Sequence, residues 1–321
     1  MGSIAPDHIL KELSDLWVSL GKQGETETGL GVLRACSLTL VVLAEESEDV
    51  SDMGETLAAL MPEHPARTIL VRLHGAGERS LSERVYAQCW MPFGQRRQIC
   101  CEQIELMASD AALADVPSVV LPLAVADLPL VVWCRSARLA AMPEFQAIAA
   151  MAQKVVLDTG AMEDAARALK RLADLAAGGP LVADLSWTRI TRWRATLSQV
   201  FQNREYVAKL PSISEIHVWF APGYETSARY MGAWISGVLP HGHLAIEPSA
   251  EVASLRVELS GSDFRVQLER RDARLMVSVN DLKTCTNLPV LTDYLLMREE
   301  LGIMRRDPIY EQTLKSAAMR K

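Results

Sequence analysis

Apolar positions along the chain fall into two rhythms, and their alternation gives the first expectation of a fold. Ile9, Leu10, Leu13, Leu16, Trp17 and Leu20 recur at helical spacing over residues 7–20, and the glycine-rich stretch 21–31 reads as a polar break. ACSLTLVVLA (35–44) is β-branched and apolar and predicts a buried strand; 53–61 predicts a helix closed by Pro62 and 68–73 a second strand, together a βαβ unit. Runs 81–91 and 98–107, joined by PFGQRR, predict an antiparallel hairpin. The pattern continues with a helix over 111–126, a strand over 130–134, a helix over 144–151, a strand over 155–158, and a helix over 163–177 stopped by Gly178-Gly179-Pro180. Strands alternating with helices imply an α/β fold, a mainly parallel sheet with helices on both faces and the hairpin as its antiparallel insertion or edge.

Over residues 181–201, LVADLSWTRITRWRATLSQVF, a short apolar strand hands over to a helix whose one face carries Trp193, Leu197, Val200 and Phe201. Asp184 and Thr188 are placed to cap the turn. Beyond it the rhythm changes: a strand over 214–220, a helix over 226–239, three alternating runs near 255–259, 264–269 and 275–279, and closing helices near 291–301 and 309–318. That is an α+β pattern. The expected organisation is a Rossmann-like α/β domain at 1–205 and a smaller α+β domain at 206–321.

Composition narrows the classes. A chain of 321 residues exceeds the size at which single cores usually stop growing, in keeping with two domains. A net charge of −7 and a pI near 5.5 argue against nonspecific nucleic-acid binding. VPSVVLPLAVADLPLVVW (116–133) is long enough to span a bilayer, but Pro117, Pro122, Pro129 and Asp127 interrupt it, so a buried helix followed by a buried strand is expected and no membrane association. The first residues lack a basic region followed by an apolar one, so no secretory signal is expected. Six cysteines, at 36, 89, 100, 101, 134 and 285, show no CxxC or zinc spacing. A cytoplasmic protein with reduced thiols follows as the default expectation.

Candidate chemistry is sparse. GLGVLR (29–34) begins like a dinucleotide fingerprint but lacks the third glycine and precedes a strand instead of following one. His241 and His243 with Glu247 offer two imidazoles and a carboxylate, short of a metal site. No G-x-S-x-G, P-loop or H-E-x-x-H occurs, so no catalytic set, metal or cofactor is expected. If the hairpin strands pair symmetrically, Cys89 comes opposite Cys100 or Cys101, at about 4.5 to 5.5 Å between Cβ atoms, and a thiol pair becomes a redox candidate against the ordinary reading of buried small hydrophobes.

EHPARTILVRL (63–73), CCEQIEL (100–106), VPSVVLPLAVADLPLVVW (116–133), QKVVLDTG (153–160) and DLSWTRITRWRATLSQVF (184–201) occur in the order seen in a known family. The chain resembles the glucose-6-phosphate dehydrogenase assembly protein family OpcA over most of residues 36–240, most strongly in DLSWTRITRWR, which is similar to the family's D-L-x-W-T-R-x-T-x-W-R. Two departures stand out: Cys100-Cys101 replaces an expected glycine before Glu102, and Trp133-Cys134-Arg135-Ser136 replaces a W-W-P-G-like turn.

The resemblance implies a non-catalytic protein that binds glucose-6-phosphate dehydrogenase and promotes its active assembly, without a cofactor of its own. The alternatives are an enzyme or a ligand-sensing domain handling a sugar phosphate, with the crevice at the strand ends as its site, or arginines of 189–194 as a phosphate clamp. The expected partner surface is Trp187, Arg189, Arg192 and Trp193. Three arginines at a helix start have the wrong sign for the helix dipole, Trp and Arg are enriched at binding hot spots, and the resemblance is densest there. The competing reading pairs these arginines with Asp158 or Asp184 inside the scaffold.

Overall fold

The structure is a computed structural model that describes residues 5–28, 31–75, 77–92 and 97–320. Gly29 and Leu30 of GLGVLR and the hairpin tip 93–96 lie outside the described residues. The chain forms two compact units: 1–157 with 178–183 and 293–304, and 158–177 with 184–292 and 305–321. This partition differs from a single boundary at 205. The segment 184–201 is built into the second unit, and helix Asp293–Leu301, expected to close the C-terminal domain, belongs to the first.

The first unit holds an eight-stranded sheet of β1 (Val32–Arg34), β2 (Leu38–Glu45), β3 (Ala66–Leu73), β4 (Leu81–Trp90), β5 (Gln98–Ala108), β6 (Leu130–Cys134), β7 (Lys154–Leu157) and β8 (Leu181–Asp184). Its order is β1-β5-β3-β2-β6-β7-β8, with β4 on the far side of β5. β2 pairs parallel with β3 and β6, β3 with β5, and β6 with β7, while β4 runs antiparallel to β5 as the hairpin. Seven consecutive residues of β2 are buried, the mark of a central strand covered on both faces. Helix Val50–Leu60 follows β2, started by the Asp49 carboxylate, and packs against helix Asp293–Leu301.

The long apolar run resolves into helix Val116–Leu123, which keeps Pro122 in its last turn, and strand β6. Pro117 sits in the first turn, where a missing N–H costs nothing. The first helix, Pro6–Thr28, runs well past the expected break at Gly21. An isolated glycine costs a helix only about 1 kcal/mol and does not by itself end it. Short β1, on β5, escaped the sequence pattern altogether.

Buried charges in this unit are matched. Glu102, 2% exposed, accepts from Trp17 Nε1 at 2.6 Å and pairs with Arg67 at 2.5 Å and Arg34 at 2.7 Å. Lys154, also 2% exposed, donates to the Glu300 carboxylate at 2.7 Å and to the Glu300 and Ile303 carbonyls at 2.6 and 2.9 Å. Removing one member of such a pair strands the other in low dielectric.

The second unit is organised on a six-stranded sheet, β10-β9-β11-β12-β13-β14, of β9 (Ile213–Phe220), β10 (His243–Pro248), β11 (Leu255–Gly261), β12 (Arg265–Arg271), β13 (Arg274–Val279) and β14 (Leu282–Asn287). β9 and β10 are parallel and the rest antiparallel. Leu255, Val257 and Leu259 alternate inward, as do Val266 and Leu268, and Leu275, Val277 and Val279, so one face is buried. Helix Glu225–Val238 packs on β9 and β10 and against helix Pro308–Met319, which also meets helix Ala165–Ala177. No helix among the described residues is long and apolar enough to cross a membrane.

Candidate functional site

In an open parallel sheet, ligands bind at the carboxyl ends of the strands where strand order reverses, which here lies between β2 and β6. The connection after β2 brings Glu45, Glu46, Glu48 and Asp49, with no glycine. Asp49 places its own carboxylate on the Ser51 amide, 2.8 Å away, so the helix start that would receive a phosphate already holds an anion. Arg135, at the end of β6, closes the gap: it bonds Glu48 at 2.6 Å and Asp293 at 2.5 Å and lies 4.7 Å over the Trp133 ring. Arg138 bridges Glu45 at 2.5 Å and Asp110 at 2.6 Å. The Ser136 hydroxyl donates to Glu45 as well. Partial burial would raise the Glu45 carboxyl, but hydrogen bonds from Arg138 and Ser136 outweigh it and hold Glu45 below its ordinary range. Burial pushes the nearby Cys134 thiol up to about 12, leaving it inert. Thus WCRS (133–136) supplies an arginine and a serine that bond carboxylates of this crevice, which remains acidic.

The segment 184–194 has a different character. Asp184 ends β8, is fully buried, and accepts from the amides of Ser186 and Thr159 at 3.0 and 3.1 Å, the Tyr230 hydroxyl at 2.9 Å and the Thr159 hydroxyl. Burial, then the charge of Asp158, raise its carboxyl to about 6. Asp158 receives Arg189 through two bonds of 2.7 and 2.5 Å, with the Ser186 hydroxyl at 3.2 Å. Gly160 makes the approach possible: a Cβ there would stand 2.7 Å from Ser186 Oγ and 3.2 Å from Asp158 Oδ1. D-T-G (158–160) and D-L-S-W-T-R (184–189) are therefore two halves of one hydrogen-bonded knot. The Thr226 hydroxyl reaches the Thr159 carbonyl at 3.3 Å and the Ser227 hydroxyl the Ser186 carbonyl at 3.2 Å, tying helix Glu225–Val238 to it.

Of the four residues expected at a partner surface, Trp187 and Trp193 are 5% and 4% exposed and serve as packing residues in this structure. Trp187 lies against Tyr230 and Tyr310, both at 5.6 Å between ring centroids, with Arg194 stacked 3.5 Å above it. Arg189 takes the scaffold pairing with Asp158, and Arg192 alone of the four is exposed, on helix Thr191–Val200. The sequence pattern missed Thr159, Tyr230 and the crevice residues; D-T-G before a helix and the acidic run EESED after β2 are the only local signals of them.

The hairpin register sets Cys89 opposite Cys100, and a disulfide joins them. The expectation of six reduced thiols fails at this pair, because antiparallel partners already stand within bonding reach. Cys101, next along the strand, turns to the other face, is buried, and has its thiol raised to about 11 by burial. His243 opens β10 and lies 3.3 Å from Glu215; among the described residues no cluster of metal-ligating side chains occurs.

Residues 58–174 match the family described as glucose-6-phosphate dehydrogenase subunit N-terminal domain, and 180–314 the family described as its C-terminal domain. The chain is 25% identical over 192 residues to a Synechocystis sp. protein with the provisional name OxPP cycle protein OpcA, covering 59% of this chain and 39% of that protein. A Synechococcus elongatus protein of the same name is 26% identical over 181 residues, covering 55% and 40%. The chain thus spans about two fifths of the length of these curated relatives. Among solved structures, the probable oxidoreductase yhhX aligns at 10% identity and TM-score 0.48 over 87% of this chain and 94% of its own, and a dehydrogenase from Chromobacterium violaceum at 9% and 0.48 over 88% and 94%.

Proposed function

The chain belongs to the OpcA family of glucose-6-phosphate dehydrogenase subunits, and from that premise we propose that it is a non-catalytic partner that binds glucose-6-phosphate dehydrogenase and promotes its active assembly in the oxidative pentose phosphate pathway. One observation carries the non-catalytic half of this reading. At the switch point of the sheet, a dinucleotide or sugar phosphate would meet Glu45, Glu46, Glu48 and Asp49, with Arg135 and Arg138 already committed to carboxylates and Arg72 to Glu105 and the Glu46 carbonyl. A phosphate placed there meets repulsion from these carboxylates and the cost of desolvation, and Arg72, Arg135 and Arg138 are already bonded to the protein.

The partner surface is proposed to include Arg192, on the solvent face of helix Thr191–Val200. The test is size-exclusion chromatography of this protein with the dehydrogenase from the same cell, and dehydrogenase assay with and without it. Co-elution with raised dehydrogenase activity supports the proposal. Separate elution with unchanged activity, or turnover of sugar phosphates by this chain alone, overturns it.

A further inference from the structure

The second unit contains a cavity of about 100 Å³ whose charge balance is the reverse of the crevice. Arg189, Arg270, Tyr224, Ser227, Ser254 and Trp193 contribute to its lining, and no carboxylate does. Arg189 is balanced by Asp158. Arg270 is not. Its Nε donates to the Asp272 carbonyl at 2.9 Å, and its terminal nitrogens have no hydrogen bond or ion pair among the described residues. The adjacent Glu269 is engaged by Arg256 at 2.6 Å and Arg271 at 3.1 Å, and as a strand neighbour it turns to the opposite face.

Ser254 supplies the second, independent sign. It is 2% exposed and its hydroxyl has no hydrogen-bond partner among the described residues. A buried hydroxyl left unpaired is costly, and an explanation for it is a ligand group that completes the bond. The start of helix Glu225–Val238 adds to the same field: Tyr224 at its N-cap makes no side-chain capping bond, so the first-turn amides at Ser227 and its neighbours keep their positive partial charge.

From these observations we propose that this cavity is a binding site for one phosphate-sized oxyanion, taken either as inorganic phosphate or as the phosphate group of a small phosphorylated metabolite. The planar guanidinium of Arg270 offers two parallel donors to such an anion and the Ser254 hydroxyl a third bond. The volume holds a phosphate group but not a nucleotide, so any larger portion of a metabolite must lie outside the mouth.

The test uses the full chain without dehydrogenase, so its outcome is independent of the assembly role. Isothermal titration with sodium phosphate and with a sugar monophosphate is compared with chloride at equal ionic strength. Saturable binding of inorganic phosphate identifies the free ion as sufficient; binding of the sugar monophosphate alone identifies a metabolite phosphate. Arg270→Gln is expected to weaken whichever binds by tenfold or more, 1.4 kcal/mol. Ser254→Ala is expected to weaken it too while melting no lower than wild type, because it removes a hydroxyl that is unpaired without ligand. Absence of saturable binding by either compound, or a loss below tenfold in Arg270→Gln, overturns the proposal.

Discussion

The crevice between β2 and β6 and the cavity beside Arg270 are built from the same residue types to opposite effect. In the first, Arg135 and Arg138 each find two carboxylates, so their charge is fully taken up from within and the strand ends stay acidic. In the second, among the described residues, one arginine has its carboxylate, the other has none, and a buried hydroxyl is unpaired. Fold alone would have pointed to the crevice, since that is where open α/β sheets bind ligands. Charge accounting points away from it, because a site is where donors are left over, not where they are most numerous.

Five substitutions test this contrast, beginning with the largest expected loss. Asp184→Ala should cost at least about 3 kcal/mol, since it leaves the Thr159 and Tyr230 hydroxyls and two amides buried without their acceptor. The knot that carries Arg189 to the cavity wall would go with it. Urea denaturation measures the loss, and a change within about 0.5 kcal/mol would show that the knot is not what organises the wall.

Within the crevice, Arg135→Ala should cost about 2 kcal/mol, because it leaves Glu48 and Asp293 facing each other and uncovers Trp133. Arg138→Ala, at a side chain 45% exposed, should cost under about 1 kcal/mol. Equal losses for the two would mean that the crevice is held by surface charge balance and not by its buried end.

The pH dependence follows from Asp184. Its carboxyl titrates near 6 in the folded chain and near its ordinary 3.8 when unfolded, so between these values the folded state holds the extra proton. Its contribution to stability is full below about pH 4 and declines as pH rises to about 6. Asp184→Asn removes that slope. Unfolding free energies from pH 4 to 6.5 should therefore move against wild type relative to the variant; parallel curves would show that Asp184 is ionised throughout.

The smallest effect on stability is expected at Arg192. Arg192→Ala should change unfolding by no more than about 0.5 kcal/mol, as an exposed substitution away from any paired group. Association with the dehydrogenase should still fall by on the order of tenfold, about 1.4 kcal/mol. Unchanged association would leave DLSWTRITRWR (184–194) a purely internal feature.

Much of the scaffold was legible in the sequence, for identifiable reasons. β2, β3 and the hairpin are β-branched and apolar, and Val116–Leu123 with β6 is punctuated by proline, so pattern and fold agree. β14, LKTCTN, was not legible: it is exposed along its whole length and carries no alternation of burial to read. Trp187 shows a deeper limit. Tryptophan beside arginine suits a hot spot and a buried stack equally, and only Tyr230, Tyr310 and Arg194 around it decide for the stack. Arg270 and Ser254 carried no sequence signal, because their meaning comes from distant residues meeting in space.

The chain passes between its two units after residues 157, 177, 183, 292 and 304, so neither unit is a continuous piece of the sequence. During synthesis the ammonium of Lys154 must wait for Glu300, and the first unit stays unfinished until residues 293–304 have been made. Products truncated before residue 293 would therefore carry Lys154 without its carboxylate in a sheet that already has all its strands, and should be recognised by quality-control proteases in a way that products of a two-bead protein would escape.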